Sequence, residues 1–167
     1  MAKSGAKSNE KVDPVTGLSE WETNTVQSTW ALMTKDLVAS GVEIMLSLFD
    51  AHPDYQSYFA AFKDVPRSEL SINKKLQAHG VNVMKALCGI IDGLTDTDRL
   101  VPNLEGLGSR HSKRGLREQH FNNLGVVMIE VLRRNVGDAF TPEVERTWRK
   151  TIAGAWSYIF KGFDRES

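Results

Sequence analysis

Long apolar runs are missing from this chain. No segment approaches the ~20 consecutive apolar residues that a membrane-spanning helix requires, so no span is expected. Cysteine is nearly absent: Cys88 stands alone. That excludes an internal disulfide and any paired-cysteine zinc site, and Cys88 reads as a small buried hydrophobe. Charge of one sign is not in excess either. Lysine and arginine number 21, as do aspartate and glutamate, so nothing draws the chain to nucleic acid or to an anionic lipid surface. The opening MAKSGAKSNEKVDP has lysines with no apolar run behind them, unlike a secretory signal. Ala2 stands where N-myristoylation needs glycine. A cytoplasmic setting is the expectation. Sustained strand-like alternation, internal repeats and low-complexity blocks are lacking as well.

What remains is helical periodicity over a length, 167 residues, that suits one domain with a sizeable core. Residues 1–16 are polar and broken by Pro14, and are expected to form a flexible N-terminal extension, with the folded domain spanning 17–167. Ser19 with Glu22 forms a capping box that opens a first helix, with Val26, Trp30 and Met33 inward. A second helix from Asp36 has the stripe Val38, Val42, Met45 and Phe49. Pro53 starts a tight turn, and the aromatic-rich stretch after it reads as an irregular corner. Ser71 is the predicted cap of a helix running to about Asp92, with the stripe Ile72, Leu76, His79, Val83, Leu87 and Ile90. A shorter helix follows over 100–113. A further helix covers 118–135, with Phe121, Leu124, Met128 and Val131 inward, and Gly137 breaks it. Thr141-Pro142-Glu143 opens the last helix. The fold class is all-α, with seven or eight helices.

Two of those helices end or centre an apolar stripe on a histidine. Leu100, Leu104 and Leu107 are followed in the same stripe by His111, and His79 occupies a core-facing place one helix earlier. Each could be a core histidine with a backbone partner, since buried polar groups find hydrogen bonds. Two of them on neighbouring helices, which usually lie side by side, also allow the imidazoles to face one another across a gap. Zinc would want four ligands, and neither stripe supplies Cys, Asp or Glu nearby. The missing carboxylate also removes an acid–base pair, and no nucleophile elbow supports a Ser/His/Asp triad, so no enzyme is expected. A flat apolar cofactor with axial positions fits better: haem iron held by an imidazole. Phe59, Phe62, Met45, Val83, Leu104, Leu107 and Leu116 would wall it. His52 and His120 read as structural, His120 as a cap or a packing ring.

Over nearly all of 18–165 the pattern resembles a globin. LSEWE…VQSTW resembles the first helix of that family, with Trp30 at its tryptophan position, and LFDAHPDYQSYFAAF the end of the second, with Pro53 and a corner Phe59. QAHGVNVM resembles the distal stretch and LGSRHSKRGL the proximal one. Lone fragments of this kind are weak signals; the ordered set Pro53, Phe59, His79 and His111 is specific. The resemblance implies a globin fold around a haem pocket, haem b as cofactor, His111 as proximal iron ligand and His79 as distal histidine. It implies Val83 one turn beyond and Leu116 packing on the haem. The details look more like invertebrate intracellular globins than vertebrate myoglobin. Met45 departs from the usual Leu or Phe, and Arg110 stands where myoglobins have a serine that orients the proximal ring. That orientation is therefore expected from the Leu107 carbonyl. The implied function is reversible binding of oxygen and other diatomic gases for storage or transport. A bis-histidyl globin in nitric-oxide or redox chemistry, or in oxygen sensing, is the alternative. Lys63, Lys75 and Arg114 are candidate partners for the haem propionates. Near-zero net charge permits a homo-oligomer.

Overall fold

A computed structural model describes residues 10–166. Among the described residues there are seven α-helices: α1 (Glu20–Met33), α2 (Leu37–Ala51), α3 (Arg67–Leu70), α4 (Lys74–Asp92), α5 (Thr97–Ser112), α6 (Glu118–Val136) and α7 (Pro142–Phe163). A 3-10 segment, Pro53–Tyr58, follows α2. Among the described residues there is no strand, only an isolated bridge between Val12 and Ser19. The all-α expectation holds.

Local chemistry sets most of the helix starts. Ser19 Oγ accepts from the Glu22 N–H at 3.1 Å, and Glu22 Oε1 accepts from the Ser19 N–H at 3.4 Å, so the capping box at α1 is closed. Asp36 caps α2 through the Ala39 N–H at 2.9 Å. Thr141 caps α7, with Pro142 in the first helical position, where its missing N–H costs nothing.

Three predicted details differ. Ser71 does not cap α4; it terminates α3 with helical backbone angles, which an N-cap cannot have. Asn73 does the work instead, its side chain accepting from the Lys75 and Leu76 N–H groups at 3.0 Å each. Ile72, left outside α4, is 71% exposed, and Val38 on the first turn of α2 is 43% exposed, so neither belongs to its stripe. Finally, α5 starts at Thr97, not Leu100, and takes Pro102 into its second turn.

Part of the expected tail is also folded. Asp13 Oδ1 accepts from the Val15 and Thr16 N–H groups at 2.8 Å each, and the Asp13 N–H bonds the Leu18 carbonyl. These bonds tie residues 10–16 to the start of α1, because an aspartate satisfies the backbone two and three residues on. The remainder of the predicted extension, residues 1–9, lies outside the described residues.

The core sits where α1, α6 and α7 meet. Trp148 is buried there, its indole N–H donating to Thr29 Oγ1 at 2.9 Å, with the Trp30 ring 5.9 Å away. Two helix crossings are closed by glycine. At the α2–α4 crossing Gly41 faces Gly80: a Cβ on Gly80 would lie 2.8 Å from the Gly41 carbonyl carbon. At the α5–α7 crossing a Cβ on Gly108 would lie 2.8 Å from the Ile159 carbonyl carbon, and one on Gly162 2.9 Å from the Glu105 carbonyl carbon. Backbone therefore packs on backbone at both crossings. The consequence is positional: α4 is held on α2 and α5 on α7. The helices bearing His79 and His111 are thus fixed by separate partners, not simply laid side by side as their short connection suggested.

Candidate functional site

Helix α4 buries Leu76 and Met84 completely, and His79, one turn beyond Leu76, is half-buried. Its imidazole meets the edge of Phe59, with ring centroids 4.8 Å apart at 64°, and lies 6.0 Å from Phe62. Helix α5 buries Leu100 and Leu104 and ends its stripe on His111. The His111 Nδ1–H donates to the Leu107 carbonyl at 2.8 Å, one turn back on the same helix. A backbone carbonyl can only accept, so the proton sits on Nδ1 and the Nε2 lone pair is left free. Phe121 stands edge-on to the ring at 5.4 Å.

The chain then turns back so that Leu116 reaches the cavity. Gly115 adopts φ +84°, a left-handed conformation that a side chain would resist. Its N–H bonds the Ser112 carbonyl at 3.0 Å, and the Leu116 N–H bonds the His111 carbonyl at 3.2 Å. This pair of bonds is the Schellman closure of a helix C-terminus. It brings Leu116 back beside the histidine.

Both histidines line one cavity of about 310 Å³, a size at the lower end of ligand pockets. Met45, Phe59, Val83 and Leu116 line it with them. Three other residues from the sequence-predicted set stand behind the wall. Phe62 is buried and stacks on Phe59, with centroids 5.2 Å apart at 13°. Leu104 is buried in the core. Leu107 contributes its carbonyl to His111.

Sequence reasoning did not place Leu48, Tyr55, Tyr58, His120 and Phe121 on the cavity, yet they line it. They come from three separate stretches, α2, the 3-10 segment and the start of α6, and no spacing rule links them. His120 also caps α6 as expected, its Nδ1 accepting from the Arg117 N–H at 2.9 Å. Of the three cationic candidates, Arg114 lines the cavity, and Lys63 and Lys75 do not. His52 stacks on Tyr55 at 4.7 Å, a packing role.

Burial pushes the pKa of His79 below its ordinary value, and the positive charges of His111 and Arg114 push it further. Burial does the same to His111. The Leu107 carbonyl opposes that shift, and Arg114 and Arg110 add to it. Both rings are therefore neutral at neutral pH, the form in which imidazole binds a metal. Among the described residues no group of three or more His, Cys, Asp or Glu could hold a metal ion. Two neutral imidazoles would be an incomplete ligand set for a bare metal ion, and would suit a metal that arrives with ligands of its own.

The family model described as Globin matches residues 42–159. Cytoglobin-2 of Danio rerio is 28% identical over 152 residues, covering 90% of this chain and 83% of that protein. Among solved structures, a hexacoordinated haem protein from an anhydrobiotic tardigrade superposes with a TM-score of 0.84 at 24% identity, covering 91% of this chain and 99% of that one. The hexa-coordinate hemoglobin of Drosophila melanogaster gives a TM-score of 0.81 at 24% identity, covering 86% and 94%. These two likenesses show a shared fold. The family model spans most of the chain, and the helical frame agrees with it: the chain belongs to the globin family of haem proteins.

Proposed function

We propose that this globin holds haem b in the cavity between α4 and α5, with His111 as the iron ligand, and binds oxygen or another diatomic gas reversibly. The observation that carries this is the His111 Nδ1–Leu107 carbonyl bond at 2.8 Å. It commits one ring nitrogen and leaves Nε2 as the ring's sole lone pair, in an apolar cavity shared with a second neutral imidazole. The haem iron supplies the gas-binding and redox centre when bound. The chain's residues do the rest. His111 is kept in one tautomer by Leu107. His79 offers an N–H on the other side, where a hydrogen bond to a gas molecule of partial negative charge is worth about 0.5–1.5 kcal/mol, roughly a tenfold gain in affinity. Phe59 and Val83 keep water from that side. Arg114, on the cavity rim, is suited to pair with a propionate.

A second reading has a specific observation in its favour. Among the described residues the His79 ring packs on Phe59 and Phe62 and has no hydrogen bond to the protein. A ring so uncommitted would be free to serve as a second iron ligand; the tardigrade and Drosophila proteins are named as hexacoordinated and hexa-coordinate. The visible spectrum of the ferrous, deoxygenated protein decides between the readings. One broad band means five-coordinate iron and an open gas site. Two sharp bands mean that His79 is bound, and they should collapse to one in His79→Leu.

A further inference from the structure

The orientation of the His79 ring depends on one short connection. Gly80, the next residue, packs backbone to backbone on Gly41, so the helix under His79 is fixed against α2. What remains free is the ring's own side-chain torsions, and its neighbours decide which of them is used. Those neighbours are Phe59 and Phe62, with centroids 4.8 Å and 6.0 Å from the imidazole. Both belong to residues 59–66, which join the 3-10 segment to α3 with no helix or strand of their own. Phe59 and Phe62 stack on one another, and both pack against Phe49 of α2, at 5.5 Å and 6.2 Å. The two rings that touch His79 therefore form one unit.

An irregular stretch has no helical ladder of hydrogen bonds to hold it, so its backbone groups must find other partners. Two tight turns supply part of the frame. The Phe62 N–H bonds the Phe59 carbonyl at 3.1 Å, and the Val65 N–H bonds the Phe62 carbonyl at 3.2 Å. Each of these is local, and neither ties the stretch to the element before it. One side chain does. Gln56 Nε2 donates to the Phe62 carbonyl at 2.8 Å and to the Val65 carbonyl at 2.9 Å. An amide NH2 has two hydrogens, and both are committed here. Gln56 itself stands on a fixed base. Beside it, buried Tyr55 anchors the 3-10 segment to α6, its phenol oxygen accepting from Asn123 Nδ2 at 2.7 Å.

We propose that Gln56 is a positioning residue for gas binding: its two hydrogen bonds hold Phe59 and Phe62 against the His79 ring and so fix where the ring's N–H points. The proposal rests on the haem reading above, and it concerns the hydrogen bond to the gas, not the seat of the iron. A hydrogen bond weakens steeply once its angle is poor. With the two Gln56 bonds cut, His79 keeps its donor but samples orientations that miss the gas. Gln56 does not line the cavity, so it acts through His79 and the two phenylalanines.

The test uses full-length protein loaded with hemin, whose uptake is read first by absorption, then reduced and oxygenated. Loss of the oxygenated form against excess carbon monoxide is followed by stopped flow. The parent is compared with Gln56→Met, Gln56→Glu, His79→Leu, and each Gln56 substitution combined with His79→Leu. Methionine keeps the volume without a donor, and glutamate keeps the shape with a carboxylate that can only accept. His79→Leu removes the hydrogen bond and should speed oxygen loss roughly tenfold, and the Gln56 variants should speed it about two- to tenfold. In the His79→Leu background the Gln56 substitutions should change nothing, because the donor they position is gone. The same factor in both backgrounds would mean that Gln56 acts on the fold at large. That result, an unchanged rate in the Gln56 variants, or no acceleration in His79→Leu overturns the proposal while the haem reading stands. So does refusal of hemin by both Gln56 variants when the parent takes it up. Refusal by the parent overturns both.

Discussion

Adding the same methyl group at two glycines should move stability in opposite directions. Gly89 lies on the exposed face of α4, and a Cβ there meets nothing within 4 Å. Gly89→Ala removes backbone freedom from the unfolded chain and should stabilise by about 0.5–1 kcal/mol. Gly108 lies at the α5–α7 crossing, where the new Cβ would sit 2.8 Å from the Ile159 carbonyl carbon and closer still to its oxygen. The obstacle is backbone in the middle of α7, so relief requires the helices to part. Overpacking of this kind costs about 3 kcal/mol at the upper end of its usual range, and about 1 kcal/mol of helix propensity offsets it, leaving roughly 2 kcal/mol of net loss. For a chain of this length each kcal/mol shifts Tm by about 2–4 °C. Thermal unfolding followed by circular dichroism should thus show Gly89→Ala up by about 1–4 °C and Gly108→Ala down by about 4–8 °C. Because α5 carries His111 one turn on, Gly108→Ala should also weaken hemin uptake. Equal or higher Tm for Gly108→Ala than for the parent would refute the claim that α5 is seated backbone to backbone on α7.

Stability of the haem-free protein should depend on pH in a stated direction. Burial lowers the folded-state pKa of His79 and His111 from an ordinary 6.5. Between the lowered values and 6.5 the unfolded chain therefore binds more protons, so the stabilisation is complete above pH 6.5 and is lost as pH falls below it. Urea midpoints measured down a pH series check this, and the fall should shrink in His79→Leu. Loss of the α7 cap in Thr141→Ala should cost about 1 kcal/mol, read in the same urea assay, because the Val144 N–H loses its acceptor. Removing the exposed Arg67–Asp50 pair by Arg67→Ala should cost at most about 1 kcal/mol, despite its good geometry, and the loss should vanish in high salt.

The features readable in the sequence were those that local rules encode. Capping at Ser19 and Thr141 needs only side-chain type and a spacing of three residues. The place of His79 and His111 needs only a stripe at helical period. The Leu107 carbonyl follows from that period too, since it lies four residues before His111. The rest depends on what meets across the fold. Gly41, Gly80, Gly108 and Gly162 have no side chain to join a stripe, so their role shows only once the crossing helix is in place. Ile72 and Val38 fit the helical period but sit before or at the first turn, where the helix has not yet reached the core. Tyr55, Tyr58, Arg114 and His120 line one cavity from the 3-10 segment, the turn after α5 and the start of α6. No pattern along the chain links them.

The central claim is that the Nε2 of His111 holds a haem iron in this cavity. Titrating hemin into the purified haem-free protein, followed by absorption in parallel with His111→Gly, addresses it directly. The account predicts stoichiometric uptake by the parent, and none by His111→Gly until free imidazole is added to take the vacated place. A variant that takes up and keeps hemin as the parent does, with no imidazole present, would contradict it.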